Sequence, residues 1–456
     1  MNNVSNHSRF LQLRQEFSFF EYQSYSFREE NEAYRLQFNF NLGNKFYFHS
    51  ETLIPKKSFL KLPQNVEQLN WLVFNIGMVE LISYWKLACP EKVIIKPYRL
   101  DEQQHQWWKK LYYNGLGEFF YVNDIKTTRD AFMQIESEGD EPMTAVATET
   151  NQLTIVPVGG GKDSVVTLEL LRQAGKPIVP MIVNPRKASL DTAKIAGFEP
   201  EQCLIFQRTL DPQLLKLNAE GFLNGHTPFS ALLAFLSALG ALFTGAPWIA
   251  LSNESSSSES TVHNEEVNHQ YSKSIEFEDD FIWYMQHYLL KNAHYFSFLR
   301  PVSELQIAQI FSRFQPYHAA FRSCNAGSKT DSWCNNCPKC LFTYLMLSPF
   351  VKPTGLKAIF GENLLQKNSL KSYLDELRGK TAAKPFECVG TVDEVELSCQ
   401  ATGHLFPDAG NTLLQDITLQ DFAIIRRDLS KHLQQFETNR HPDESFTKIL
   451  RDAISN

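Results

Sequence analysis

Apolar and polar residues alternate through Phe17-Ser-Phe-Phe-Glu-Tyr22, Tyr34-Arg-Leu-Gln-Phe-Asn-Phe40 and Lys45-Phe-Tyr-Phe-His-Ser-Glu51. A period of two predicts half-buried strands, and the turn residues around Asn41-Leu-Gly-Asn44 predict an antiparallel hairpin. The pattern then changes. Val66 to Ala88 is a long apolar helix stopped by Cys89-Pro90, Val93-Ile-Ile-Lys96 is a brief strand, and Asp101 caps a helix carrying Trp107, Trp108, Leu111 and Tyr112. Glu136-Ser-Glu-Gly-Asp-Glu-Pro142 is a polar break, and a first domain of α+β type is expected over 1–150.

From Leu153 to Glu254 strands and helices alternate. Ile155 to Val158, Ile178 to Asn184, Cys203 to Phe206 and Trp248 to Ser252 read as strands, with helices after Gly161, near Leu190–Ala196 and from Phe229. The alternation predicts an α/β fold with a doubly wound parallel sheet, whose ligands bind beyond the carboxyl ends of the strands. Three stretches should then line one crevice: the glycine turn, Asn224–Pro228 and Ser252–Ser255. Thr227 is expected to cap the helix from Phe229, with Pro228 in its first turn. Ser255 to Ser260 is expected to be a mobile loop. This second block is placed at 151–350. A mostly helical region at 351–456 follows, with helices near Asn363–Leu377 and Leu419–Thr438.

The most informative stretch is Thr154-Ile-Val-Pro-Val-Gly-Gly-Gly-Lys-Asp-Ser164. Gly159, Gly160 and Gly161 between strand and helix leave no Cβ between backbone N–H groups and an anion, and the helix start adds a favourable dipole. Asp163 or Ser164 is expected to cap that helix. Asp163 would repel a phosphate unless a cation intervened, which points to Mg²⁺-bridged polyphosphate. A Walker A loop is excluded because Lys162 precedes Asp163, and a dinucleotide fingerprint because Ser164 stands where glycine is needed.

The loop resembles the Ser-Gly-Gly-x-Asp-Ser loop of the PP-loop ATP pyrophosphatases, with Gly159 in place of the first serine and its hydroxyl donor. The resemblance implies a PP-loop (HUP-like) fold and cleavage of ATP between its α and β phosphates. ATP would be held by Gly159, Gly160, Gly161, Lys162, Asp163 and Ser164, with Mg²⁺ on Asp163. Glu254 is a further candidate for ribose or Mg²⁺, or a plain surface carboxylate.

Cys324, Cys334, Cys337 and Cys340 supply four thiolates at knuckle spacing, which suits a structural Zn²⁺. A redox pair or unligated thiols are the alternatives. The spacing is similar to that of the 7-cyano-7-deazaguanine synthases. His226 is read as a phosphate contact or base, or as a capping histidine. His269, Tyr271 and Lys273 would share one face of a strand and suit an anionic substrate, or form an ordinary solvated edge.

The 456 residues carry a net charge of −7 and a pI near 6.0. That argues against general nucleic-acid or anionic-membrane binding, so neither partner is expected. The polar stretch Met1–Arg14 lacks a signal-peptide core, Phe229–Gly245 is short for a bilayer span, and a cytoplasmic location is expected. The 35 Phe and 16 Tyr are assigned to core packing.

Taken together, the glycine loop, Gly225-His-Thr-Pro228, Ser252-Asn-Glu254, Val267-Asn-His-Gln-Tyr-Ser-Lys-Ser274 and Trp333-Cys-Asn-Asn-Cys-Pro-Lys-Cys340 resemble the ATP-dependent UDP-N-acetylmuramoyl-L-alanyl-L-glutamate epimerases. That resemblance implies an isomerase of peptidoglycan precursor synthesis. It would invert the terminal L-Glu of a UDP-linked muramoyl dipeptide through an acyl-adenylate. His226 and His269 are the candidate bases, and Tyr271 and Lys273 candidate substrate contacts. Another PP-loop adenylating enzyme acting on a nucleobase or tRNA, or an ATP-binding sensor without turnover, are the competing expectations.

Overall fold

The computed structural model describes residues 6–259, 261–262, 268–407, 410, 412–437 and 439–455. Ser260, Val267 and Thr438, each within a stretch named above, lie outside them. The strands in chain order are β1 (Phe19–Glu29), β2 (Ala33–Leu42), β3 (Phe46–Pro55), β4 (Lys92–Ile95), β5 (Gln134–Ser137), β6 (Thr154–Pro157), β7 (Ile178–Val183), β8 (Leu204–Thr209), β9 (Trp248–Leu251) and β10 (His294–Ser297). With the many helices between them, they make an α/β protein.

The chain divides into two compact units, both discontinuous. The first comprises 1–153, 204–249 and 267–295, and the second 154–203, 250–266 and 296–456. The units interleave along the chain, whereas the sequence pattern suggested consecutive blocks. Strands β9 and β10 each contribute two residues to either unit.

In the first unit the strand order is β8-β3-β2-β1-β4-β5. β1, β2, β3 and β8 pair antiparallel, whereas β1–β4 and β4–β5 are parallel. The expected β2–β3 hairpin is present, with Leu42 opposite Phe46. Its turn is possible because Gly43 and Asn44 both adopt left-handed φ near 57°, which glycine and asparagine tolerate best. Leu36, Phe38, Phe40 and Leu42 of β2 are wholly buried. The polar break begins two residues later than its composition suggests, since Glu136 and Ser137 pair with β4.

Helix Val66–Trp85 is buried almost all round, so its apolar run has no periodic polar face. Asn65 caps it by accepting from Gln68 N–H at 3.0 Å. One charge is buried within it. Glu80, 1% exposed, receives both arms of Arg208 from β8, at 2.5 and 2.6 Å. A paired, bidentate geometry is what allows two charges to leave water here.

In the second unit β6 and β7 are parallel, with Ile155 opposite Val179. The helix after β6 runs from Lys162 to Gln173. Its start corrects one expectation: neither Asp163 nor Ser164 is the cap. Gly161 holds that position without a side-chain bond, and the Ser164 hydroxyl donates back to Gly161 O at 2.9 Å. In the first unit, similarly, helix Phe229–Thr244 begins after Pro228, not Thr227, and has no side-chain cap. Gly245 ends it in left-handed conformation (φ 70°). Among the described residues no helix is long and apolar enough to cross a membrane.

Removing Glu80 would strand the Arg208 guanidinium in the interior. Glu80→Ala is therefore expected to cost about 3–5 kcal/mol, read as a lower urea midpoint. Glu80→Gln, which keeps the shape and accepts hydrogen bonds, should cost less than Glu80→Ala.

Candidate active site

Among the described residues three clusters of chemically active side chains stand out, one in the first unit and two in the second. In the first unit, Glu118, His226 and His269 bring ligating atoms within 4.8 Å of one another. Glu118 sits in the first turn of the short helix Gly117–Val122. His226 follows Gly225, and this loop is fixed from several sides. Asn123 Nδ2 donates to Asn224 O at 3.0 Å, and Lys86 Nζ donates to Gly225 O. A side chain at 225 would come within 2.9 Å of Phe119, so glycine is what lets the loop lie against the Glu118 helix.

His269 Nδ1 lies 2.5 Å from Glu118 Oε2, and His226 Nδ1 3.7 Å from the same oxygen. The two imidazoles are 4.6 Å apart between centroids, tilted by 48°. A carboxylate facing Nδ1 selects the tautomer that donates from Nδ1 and keeps a lone pair on Nε2. His226 is pushed down to about 4, first by burial and then by repulsion from His269, with Lys86 and Lys273 adding to it and Glu118 opposing. At neutral pH its imidazole is uncharged. Burial likewise lowers Lys86 to about 8.

The strand expected through His269, Tyr271 and Lys273 is absent. His269 and Gln270 form a turn in which Asn268 Oδ1 accepts from Gln270 N–H at 2.7 Å. Tyr271–Lys273 is a single 3₁₀ turn, and Ser274 then caps helix Ile275–Tyr284 by accepting from Phe277 N–H. The shared face is therefore lost. Tyr271 turns inward, 5% exposed, with its hydroxyl 3.4 Å from Asp280 Oδ2, while Lys273 is half-buried and close enough to repel a charge on His226.

In the second unit, the glycine turn follows β6 as expected. Gly160 (φ 88°) packs against the start of helix Lys187–Ile195, where a Cβ would lie 2.8 Å from backbone atoms of Ala188 and Ser189. Gly159 is open, with nothing within 4 Å of the point where a Cβ would sit. Lys162 does not extend from the turn. It is 2% exposed and held between Asp163 and Glu304, the latter at the start of helix Glu304–Ser312. Burial works against the ammonium charge, but the two carboxylates outweigh it and keep Lys162 protonated. Burial pushes Glu304 upward, with repulsion from Asp163 and Glu254 adding to it, and the Lys162 ammonium opposes that shift.

Glu254 is buried, not a surface carboxylate, at 4% exposure. Ser255–Ser258 after it forms a 3₁₀ turn with Ser256 and Ser257 buried, in contrast to the expected mobile loop. Arg300, 1% exposed, pins the turn by donating to Glu254 O and Ser257 Oγ at 2.7 and 2.6 Å.

Cys324, Cys334, Cys337 and Cys340 are free thiols with their sulfurs within 4.8 Å of one another. The pairs 324–337 and 334–340 are each 3.8 Å apart. A tetrahedron with bonds of roughly 2.3 Å has edges of about 3.8 Å, so this spacing fits Zn²⁺. Backbone N–H groups of Gly327 and Cys340 point at Cys324 Sγ (3.1 Å) and Cys337 Sγ (3.4 Å). Cys337 is pulled down to about 5, chiefly by hydrogen bonding from the Cys340 thiol, while burial opposes.

Comparison with known families decides where these clusters belong. Residues 12–298 match the MurL N-terminal domain and 319–418 the MurL C-terminal domain. The chain belongs to the MurL family. Relatives named UDP-N-acetyl-alpha-D-muramoyl-L-alanyl-L-glutamate epimerase come from Micromonospora sp. (34% identical, 73% of this chain and 75% of the relative), Xanthomonas oryzae pv. oryzae (34%, 69% and 70%) and Salinispora tropica (34%, 75% and 75%). No solved structure matches. The MurL N-terminal domain takes in both the histidine cluster and the glycine turn, and the C-terminal domain the four cysteines.

Glu118, Lys86 and Glu304 carry no signal in the sequence. Each is one charge on or beside a helix, and its partner lies far along the chain.

The His226 shift has a consequence for stability. Its folded-state affinity for a proton is below that of an unfolded histidine, near 6.5. Between about pH 4 and 6.5 the unfolded chain binds more protons, so stability rises with pH across this window and is lost as pH falls through it. His226→Gln should flatten this part of the urea-midpoint profile, while wild-type protein should show it.

Proposed function

We propose that this chain is an isomerase that inverts the terminal L-Glu of UDP-MurNAc-L-Ala-L-Glu to D-Glu at the expense of ATP, in peptidoglycan precursor synthesis. The observation that carries the reading is the Glu118–His226–His269 cluster, a base with its orienting carboxylate, in a chain of the MurL family. The glycine turn of PP-loop type before helix Lys162–Gln173 supports the ATP part.

The chemical logic starts from a charge. An α-proton beside an ionised carboxylate is hard to remove, because the product is a dianion. In the proposed sequence a carboxylate oxygen attacks the α-phosphorus of ATP, and pyrophosphate leaves with the electrons of the α–β bond. The mixed anhydride so formed carries no charge at the acyl group, and the neighbouring C–H becomes acidic.

His269 is the better proton acceptor of the pair. Glu118 both orients it and stabilises the imidazolium, a role for which positioned bases give about 10²–10⁴-fold. His226, kept neutral, remains able to donate or accept a hydrogen bond beside it. Returning the proton to the opposite face inverts the centre, and hydrolysis of the anhydride releases AMP and the epimerised dipeptide. Lys273 supplies positive charge for the substrate's carboxylates or phosphates.

Mg²⁺, when bound, would neutralise polyphosphate charge, and Asp163, partly exposed, and Glu254 are the carboxylates suited to hold it. The PP-loop fold belongs to this proposal as well. So does a structural Zn²⁺ on Cys324, Cys334, Cys337 and Cys340, where four protein ligands leave no open position for water.

Incubation with ATP, Mg²⁺ and the L-Glu dipeptide should yield AMP, pyrophosphate and D-Glu by chiral analysis. Asp163→Asn should reduce turnover at least tenfold. ADP and phosphate as products would overturn the reading.

Metal analysis of chelator-free protein should return one zinc per chain. Cys337→Ser should lose it and lower the melting temperature more than it changes substrate affinity in the folded fraction. A zinc-free wild-type protein of full stability would refute this part.

A further inference from the structure

The glycine turn has a neighbour that its own sequence does not announce. Arg322 and Ser323 lie directly before the first metal-type cysteine, Cys324, and run along the turn. Arg322 N–H donates to Gly160 O at 2.8 Å. Ser323 Cβ would be 3.5 Å from a Cβ placed on Gly161, and Arg322 O 4.0 Å. This segment is thus in van der Waals reach of the two glycines whose bare backbone makes the cradle.

Both side chains carry an unsatisfied donor. Ser323 Oγ and Arg322 Nε are buried and have no hydrogen-bond partner among the described residues. Leaving such a group unpaired costs about 1–3 kcal/mol, so two together beside an anion-binding turn call for a reason. Arg322 is not free to wander: its Nη1 is tied to Ala319 O at 2.9 Å and Phe321 O at 2.6 Å. Ser323 needs only a χ1 rotation to redirect its hydroxyl.

Gly159 supplies the complementary fact. In the Ser-Gly-Gly-x-Asp-Ser pattern that this turn resembles, position 159 carries a hydroxyl, and here it has none. We propose that Ser323 supplies the hydroxyl donor missing at Gly159, making Arg322–Ser323 a further wall of the site for the pyrophosphate end of a nucleoside triphosphate. The inference rests on the nucleotide reading above. It also gives the cysteine knuckle a second role, since Cys324 fixes the end of the segment that faces the turn.

The substitution can be run in reverse. Gly159 has open space at its Cβ position and does not adopt a left-handed φ, so serine fits there without strain. Calorimetric titration of the full chain with Mg²⁺-pyrophosphate, the Mg²⁺ complex of the non-hydrolysable ATP analogue α,β-methylene-ATP, and AMP is the test. Ser323→Ala should weaken pyrophosphate and the ATP analogue about tenfold, the scale of a hydrogen bond to a charged group, and leave AMP unchanged. Ser323→Thr, which keeps a hydroxyl, should bind within about threefold of wild type. Adding Gly159→Ser to Ser323→Ala should restore affinity, with metal content and melting temperature unchanged in all variants.

Wild-type affinity retained in Ser323→Ala would overturn the inference and leave the proposed function standing. So would a loss that Gly159→Ser does not repair, or one that Ser323→Thr shares. A wild-type protein that binds neither phosphate ligand would instead remove the nucleotide reading itself.

Discussion

Lys162 is a cation with almost no water around it, and much of the second unit is arranged to keep it so. The ammonium group lies between Asp163 and Glu304, which come from the starts of two different helices. Removing an ion from water costs several kcal/mol, which only close, well-placed counter-charges offset. Fixing Lys162 therefore fixes the first turn of its helix relative to helix Glu304–Ser312, and with it the glycines that precede it. Glu254 adds negative charge near Glu304, and Arg300 in turn holds the Glu254 turn. The glycine turn is held by electrostatics as well as by packing.

The first unit presents a different problem, two imidazoles set where burial makes charge expensive. The cluster contains two imidazoles, one carboxylate and two nearby lysines. Burial leaves the His226 ring neutral. Glu118, at 2.5 Å from His269 and 3.7 Å from His226, makes the two rings unequal.

Much of this is legible in the sequence. The β2–β3 hairpin follows from alternation and the Gly43–Asn44 turn, because period-two patterning reports a half-buried strand directly. The glycine turn and the four cysteines are legible because their chemistry depends on local spacing. Tyr271 and Lys273 are not. Alternating polar residues there mimic an edge strand, but Asn268 and Ser274, which nucleate a turn and cap a helix, are the stronger local signals. Glu118 and Glu304 are invisible for a different reason. Their partners His269 and Lys162 lie 151 and 142 residues away, and a lone glutamate on a helix looks like a solvated face. Ser323 is silent because its meaning depends on the glycine turn, where only the folded chain brings it beside Gly161.

The central claim is that activation of the carboxylate precedes and enables proton removal. Incubating the UDP-MurNAc-dipeptide with the protein in D₂O and following deuterium at the α-carbon of the terminal glutamate tests it most directly. Deuterium should enter only when ATP and Mg²⁺ are both present, and His269→Gln should abolish its entry while AMP release partly survives. Equal exchange without nucleotide would mean that the unactivated carboxylate suffices, and would contradict this account.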